Sequence, residues 1–274
     1  MSVEVSVIIA AYNEADCLED CLATITRQTH PSYEVIVVDD GSTDGTAEIA
    51  GRFGVQVLRR PHLGPGLARN SAVPHVSGEI LVFVDADMSF HPDFLAKLVE
   101  PIERDGAAGT FTKEEYVANK DNPWANCWTI NCGLPYGRRH PADYPDVDPV
   151  FRAIGRKDFL SVGGYDDLGY SEDHSISRKL GRLAVHAPEA ICYHKNPSTP
   201  KDVYLSARWY GRGDQIRRDF RTFLRHTPPF SLKNGLTRAV RRRNVCYPIF
   251  KLVYDAGVLT GMAQRLLSPA RHVK

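Results

Sequence analysis

The chain has 274 residues, 43% of them hydrophobic and 24% charged, with 34 Lys and Arg against 33 Asp and Glu. That composition supplies a core for one large domain or two small ones and excludes a disordered or fibrous chain. The net charge of +1 excludes a uniformly basic nucleic-acid-binding surface, although acids dominate the first two thirds and "LTRAVRRRNVCYPIFK" makes the end basic, as a local anionic partner there requires.

The opening apolar run "EVSVIIAAY" lacks a basic leader and continues into periodic sequence, so it reads as a first strand rather than a signal peptide, and a cytoplasmic protein is expected. A helix over roughly 15 to 27 follows, with Leu18, Leu22 and Ile25 on one face and Asn13 or Asp16 as its cap. "YEVIVVDD" is a near-continuous β-branched run of the kind that parallel strands buried on both faces require. Then come a short helix "TDGTAEIAGRF", a strand "VQVLRR", a helix "GPGLARNSAVPHV" that Pro74 should end, and the strand "EILVFVDAD". Strand and helix alternate throughout, which predicts an α/β layer around a mostly parallel sheet.

From 92 to 104 the pattern is helical again, with Pro92 in the first turn. Residues 112 to 149 are rich in Asn, Pro, Gly and aromatic side chains and predict a loop-rich, functional region with one helix near "PWANCWTIN"; Trp124, Trp128 and Tyr136 are candidate stacking or core faces. A helix "EDHSISRKLGRL" and a single strand "AVHAPEAICYH" follow. The last third is helical and Arg-rich, broken at "TPPF". Its final segment places apolar residues at 249, 252, 253, 256, 259, 263 and 266, while Lys251 and Asp255 interrupt it too early for a membrane span. Arg238, Arg241, Arg242 and Arg243 beside that stripe predict peripheral membrane contact through 238–267. A packing helix or a homodimer seam is the alternative. Six cysteines, at 17, 21, 127, 132, 192 and 246, form no CxxC pair and no zinc-finger spacing, so they read as reduced thiols.

Chemistry concentrates where strands end. Asp39 and Asp40 close one predicted parallel strand, at the edge where open α/β sheets bind ligands, and the "GSTDG" turn alone does not account for the doubled acid. Asp85 and Asp87 close another. Two like charges on one short turn are either solvated turn chemistry or the seat of a cation, and hard oxygen ligands suit magnesium or manganese. Glu172 and Asp173 open a predicted helix, where acids also complement the helix dipole.

In their order and spacing, the segments "VSVIIAAYNEA", "EVIVVDDGSTDGT", "GPGLARNSA", "ILVFVDADMSFHPDFL", "VGGYDD" and "SEDHSISRKL" resemble inverting glycosyltransferase family 2 over residues 3 to about 195. The resemblance implies a GT-A fold: two abutting Rossmann-like halves with a mostly parallel central sheet, followed here by a helical C-terminal extension. It divides the chain into a catalytic domain over 1–198, with nucleotide-sugar binding to about 110 and acceptor binding and base beyond it, and a basic, amphipathic extension over 199–274. It implies a nucleotide-sugar donor, with UDP favoured over GDP and dTDP, and transfer of one sugar to a hydroxyl of a glycan or lipid-linked acceptor. Asp39 and Asp40 then bind the base, and Ala11, Tyr12, Asn13 and Glu14 wall the base and ribose pocket. Arg69 stands by the pyrophosphate or the following carboxylates, and Ala86 is small enough for the donor to approach. Asp85, Asp87 and His194 hold a divalent cation, Mn2+ or Mg2+. Asp173 is the base, and Glu172 positions the acceptor or Arg178.

Two departures narrow the reading. Processive synthases carry QxxRW, and the matching "LSARW" has Leu205 in place of Gln; polyprenyl-phosphate sugar synthases read DADxQHP, and "DADMSFHP" lacks that Gln and is one residue longer. Their phosphate nucleophile also needs no base, so "ED" argues for a hydroxyl acceptor. The remaining alternatives are a nucleotide- or glycan-binding protein without turnover and a nucleotidylyltransferase, whose Gly-rich opening loop is missing from "AAYNEA".

Overall fold

Strand β1 (Val5–Ala11) is buried along nearly its whole length because it lies between two parallel neighbours, β2 (Tyr33–Asp39) and β4 (Ile80–Asp85). With side chains alternating across the sheet, Val5, Val7 and Ile9 enter one core layer and Ile8 the other. The first layer packs α1 (Ala15–Ile25) and α4 (Phe94–Asp105) through Leu18, Leu22, Leu95 and Leu98. The second packs α3 (Pro65–Ala72), α6 (Arg156–Ser161) and α7 (Ser175–Leu180) through Ala68, Phe159 and Ile176. Burying both faces of β1, β2 and β4 is why these runs lack polar alternation. In this computed structural model the described residues are 4–213, 216 and 220–267.

The remaining elements are α2 (Thr46–Arg52), β3 (Gln56–Arg59), β5 (Met88–Phe90), β6 (Gly109–Phe111), β7 (Glu115–Val117), α5 (Pro123–Asn131), β8 (Val147–Asp148), β9 (Ala153–Gly155), β10 (Ala184–His186) and β11 (Cys192–His194). The large sheet runs β3-β2-β1-β4-β9-β6-β10-β8, and β5-β11-β7 form a small one. In the large sheet four of the seven pairings are parallel, including all those on the β3-to-β4 side.

Two expectations change and two hold. The single strand expected over 184–194 is two, β10 in the large sheet and β11 in the small one, separated at Glu189, whose φ of 64° turns the chain. Helix α3 does end ahead of Pro74, at Ala72, and Pro74 sits in a 3-10 turn over Val73–His75. Glu172 and Asp173 lie in a 3-10 turn over Gly169–His174 that precedes α7, not in the helix itself. The helical run is broken at "TPPF", as expected, and Pro228 of that segment opens the next helix.

After β11 come α8 (Pro200–Arg212), α9 (Phe220–Arg225), α10 (Pro228–Arg242) and α11 (Tyr247–Leu267). Helix α8 starts on a capping box made by Thr199 and Asp202. Its Gly211 and Gly261 of α11 let the two backbones nearly touch: a Cβ on Gly261 would stand 2.1 Å from the Arg208 carbonyl. Tyr247, Phe250, Tyr254, Val258 and Met262 form the buried face of α11, against α5 and α8. The stripe expected from periodicity falls largely on the other face, where Ile249, Leu252 and Leu266 are exposed, because α11 is apolar on both sides. Among the described residues no helix is long and apolar enough to cross a membrane.

Candidate active site

The register that pairs Ala11 with Asp39 and Ala10 with Asp85 brings the carboxyl ends of β1, β2 and β4 level. Their loops open onto a cavity of about 620 Å3, at the edge where such sheets bind ligands.

At one end the Tyr12 ring stacks on His62, with centroids 3.8 Å apart and planes 14° from parallel. His62 Nδ1 lies 2.8 Å from Asp40 Oδ2, and the Leu63 and Gly64 amides donate to the same carboxylate at 3.1 and 2.8 Å. Asp40 is thus a fixed, buried acceptor, while His62 Nε2 is buried with no hydrogen-bond partner among the described residues. Gly41 makes the approach possible: its φ is 82°, and a Cβ there would stand 2.8 Å from the His62 amide. Asp39 instead accepts the Ser42 amide at 2.9 Å and stays outside the cavity wall. Asn13 is likewise outside it. With φ of 55° it accepts the Thr43 amide at 2.8 Å and ties the loop after β1 to the turn after β2. Ala11, Glu14 and Ala86 line the cavity.

Arg69 stands at the centre. One guanidinium nitrogen donates to Asp85 Oδ1 at 2.7 Å; the other donates to Glu172 Oε1 at 3.2 Å and Asp173 Oδ1 at 2.9 Å. Helix α3 comes close enough because residue 66 is Gly, where a Cβ would meet the Glu172 side chain at 3.1 Å. Arg152 takes the other Asp85 oxygen at 3.2 Å. Burial opposes ionisation of Asp85, but Arg69 and Arg152 outweigh it and hold the carboxyl well below the usual range. For Glu172, burial and the Asp173 charge outweigh an arginine shared among three carboxylates, so its carboxyl is raised above the usual range. Arg178, the expected partner of Glu172, donates to the His174 carbonyl instead.

Asp87 and His194 meet on the opposite wall, His194 Nε2 lying 3.0 Å from Asp87 Oδ1. His194 Nδ1 lies 2.7 Å from Glu115 Oε1 of β7, the strand that pairs with β11. Glu115 is itself buried and held by Arg139 at 2.8 Å. A buried carboxylate on Nδ1 fixes the ring so that Nε2 points at a second carboxylate, the arrangement usual behind metal-bound histidines. One imidazole nitrogen and one carboxylate, with cavity space beside them, fit Mn2+ or Mg2+. Asp85, committed to two arginines, does not close a tight triplet of ligand atoms with them.

The structure therefore gathers Ala11, Tyr12, Glu14, Asp40, Arg69, Asp85, Ala86, Asp87, Glu172, Asp173 and His194 around one cavity and leaves Asn13 and Asp39 in supporting turns. Trp124 and Trp128 pack on Phe250, and Tyr136 bonds Asp121 at the surface, so none of the three stacking candidates lines it. Trp209 of α8 does. Sequence reasoning also missed His62, Glu115 and Arg152. Trp209 had a signal in "ARW", but the other three stand in stretches whose meaning depends on strand pairing far away in the chain.

The layered α/β fold, with a carboxylate-rich cavity at its parallel strand ends, is the GT-A architecture. Residues 6–161, more than half of the chain, match the family model described as glycosyl transferase family 2, and the chain belongs to that family. Glycosyltransferase AglE of Haloferax volcanii is 43% identical over 110 residues, 37% of this chain and 36% of AglE. Poly-beta-1,6-N-acetyl-D-glucosamine synthase of Staphylococcus epidermidis is 25% identical over 231 residues, 79% of this chain and 56% of the synthase. The chain thus spans about a third to just over half the length of these curated relatives. Among solved structures, S. aureus TarS 1-349 in complex with UDP-GlcNAc has a TM-score of 0.59 at 17% identity, covering 96% of this chain and 92% of that one. The mannosyltransferase PcManGT of Pyrobaculum calidifontis, in complex with GDP-Man and Mn2+, has a TM-score of 0.55 at 22% identity, covering 98% and 76%.

Proposed function

We propose that the chain is a metal-dependent, inverting glycosyltransferase that moves one sugar from a UDP-sugar to a hydroxyl of a glycan or lipid-linked acceptor. The observation that carries this reading is Arg69, which holds Asp85 on the donor side and Asp173 on the acceptor side of one cavity. The Asp173 side chain is 39% exposed, so a carboxylate fixed at 2.9 Å from Arg69 still has lone pairs for an incoming hydroxyl. A single displacement inverts the anomeric carbon: the acceptor oxygen attacks opposite the nucleotide as Asp173 takes its proton.

Tyr12 and His62 supply an aromatic wall for the base, and Asp40 fixes that wall. TarS, solved with UDP-GlcNAc, favours a UDP donor, and PcManGT, solved with Mn2+, favours a divalent cation. Asp87 and His194 would hold the cation, which supplies charge stabilisation to the departing diphosphate. Arg69 and Arg152 keep Asp85 ionised beside them. On this reading the protein works at the cytoplasmic face of the membrane, where a lipid-linked acceptor is met; exposed Ile249 and Leu252 beside the arginines of α10 support peripheral contact.

The test is turnover of a panel of nucleotide sugars with Mn2+, with the product anomer read by NMR. Release of UDP with inversion is expected; retention, or nucleotide binding without turnover, overturns the reading. Asp173→Asn should lower transfer by ~10^2 to 10^4-fold, the share of a general base, and leave UDP affinity nearly unchanged. A second reading, polymerisation, is favoured by the similarity to the poly-N-acetylglucosamine synthase. Mass spectrometry of the product separates the two: a single added sugar supports transfer without processivity, and a ladder supports the rival.

A further inference from the structure

A second cavity, of about 630 Å3, opens among the C-terminal helices and shares no lining residue with the active site. Its walls carry Arg225 from the end of α9, Arg238 and Arg241 from α10, and Lys251 from α11, with His226 beside them. Among the described residues no carboxylate lines it. Asp255, which bonds the lining residues His226 and Lys251, is 1% exposed and already saturated by Lys251 Nζ, His226 Nδ1 and Ser231 Oγ, each at 2.6 Å.

Arg238 donates to the carbonyls of Ile130 and Asn131, both at 3.2 Å, and to the Tyr247 hydroxyl. Those acceptors are neutral, so its charge is not cancelled. Among the described residues no carboxylate lies within ion-pair distance of Arg225, Arg238 or Arg241. Three uncancelled guanidiniums around one concavity repel one another, focus a positive field into it and present planar forks that match phosphate oxygens. We infer that this cavity seats a phosphate group, either a lipid headgroup or a soluble phosphate compound. Exposed apolar side chains on the same two helices, Leu236 and Val240 on α10 and Ile249 and Leu252 on α11, suit the headgroup source.

Two measurements on the full chain test the inference without using turnover, so it stands or falls apart from the catalytic reading. The first is calorimetric binding of inorganic pyrophosphate in EDTA, which removes any metal-bridged binding in the active site. The second is flotation with vesicles of phosphatidylglycerol and phosphatidylcholine, against phosphatidylcholine alone. The variant is Arg225→Ala with Arg241→Ala; both positions are exposed, and an unchanged melting temperature confirms its fold. Pyrophosphate binding that the double substitution weakens by about tenfold or more supports the site. Flotation that needs phosphatidylglycerol and is lost in the variant assigns a lipid headgroup; binding without flotation assigns a soluble phosphate. Pyrophosphate binding and flotation that are both absent, or both unchanged by the substitutions, overturn the inference.

Discussion

Arg69 and Asp173, 104 residues apart in sequence, meet at 2.9 Å, and the other arm of the same guanidinium holds Asp85 at 2.7 Å. One planar side chain therefore sets the spacing between Asp85 and Asp173, the carboxylates proposed to face donor and acceptor. Lysine offers a point charge in place of a fork, so Arg69→Lys should hold one carboxylate and release the other. Transfer is expected to fall by about 10^2-fold, the cost of roughly an ångström of misplacement. Arg69→Ala should also lower stability, because it leaves the buried Glu172 carboxyl beside Asp173 without a counter-charge, while Asp85 keeps Arg152. Steady-state kinetics and urea unfolding read the two effects. A lysine variant with full activity would show that the fork is not what spaces the site.

Glu115 fixes His194 from behind at 2.7 Å. Its carboxyl is held well below the usual range, since Arg139, His140 and His194 outweigh the penalty of burial. Glu115→Gln keeps the shape and removes the charge. The expected result is a 10- to 100-fold loss of Mn2+ affinity, typical of a lost partner behind a metal-bound histidine, with little change in nucleotide binding measured without metal. Titration of activity against Mn2+ checks this, and an unchanged Mn2+ requirement would remove Glu115 from the metal site.

Much of the α/β frame is legible because local pattern and tertiary environment agree: apart from Ser6, Glu34 and the terminal Asp39, "VSVIIAA" and "YEVIVVD" are apolar, since both faces of β1 and β2 are covered. The site is legible where chemistry sits at a strand end, as at Asp40, Asp85 and Asp87. It is illegible where a residue acquires its role through pairing. Glu115 reaches His194 only because β7 and β11 align, and nothing in "TKEEYV" distinguishes it from its neighbour Glu114, which faces His186 instead. Helix α11 misled for a different reason: with apolar residues on both faces, its periodicity does not reveal which one the fold covers.

Glu172 should make stability depend on pH in the direction opposite to an ordinary ion-paired acid. Its folded-state carboxyl is raised by burial and by Asp173, so the folded chain binds a proton more tightly there than the unfolded chain does. That contribution is fully present below the ordinary value of 4.5 and is lost as pH rises from there through the raised folded-state value. Glu172→Gln mimics the protonated form and should flatten the decline. Unfolding free energies of both proteins at matched pH values check this. A wild-type profile that rises over the window relative to the variant would mean that Arg69 keeps Glu172 ionised.

Trp209 and Trp128 should separate binding from folding. Trp209 of α8 lines the cavity beside Asp173, where an indole face suits a sugar ring. Trp128 packs edge-on against Phe250 and Tyr254, at centroid distances of 6.4 and 5.6 Å, in the core that holds α5 to α11. Trp209→Ala should raise the acceptor KM about tenfold, the scale of one lost stacking contact of ~1.4 kcal/mol, with the donor KM unchanged. Trp128→Ala should cost about 3 kcal/mol, the lower end for a truncated core tryptophan because its ring is only partly buried, and leave both KM values alone. Acceptor titrations and denaturant midpoints read the pair. The reverse pattern, with Trp128 controlling acceptor KM, would move the acceptor to the face of α5 that the sequence first suggested.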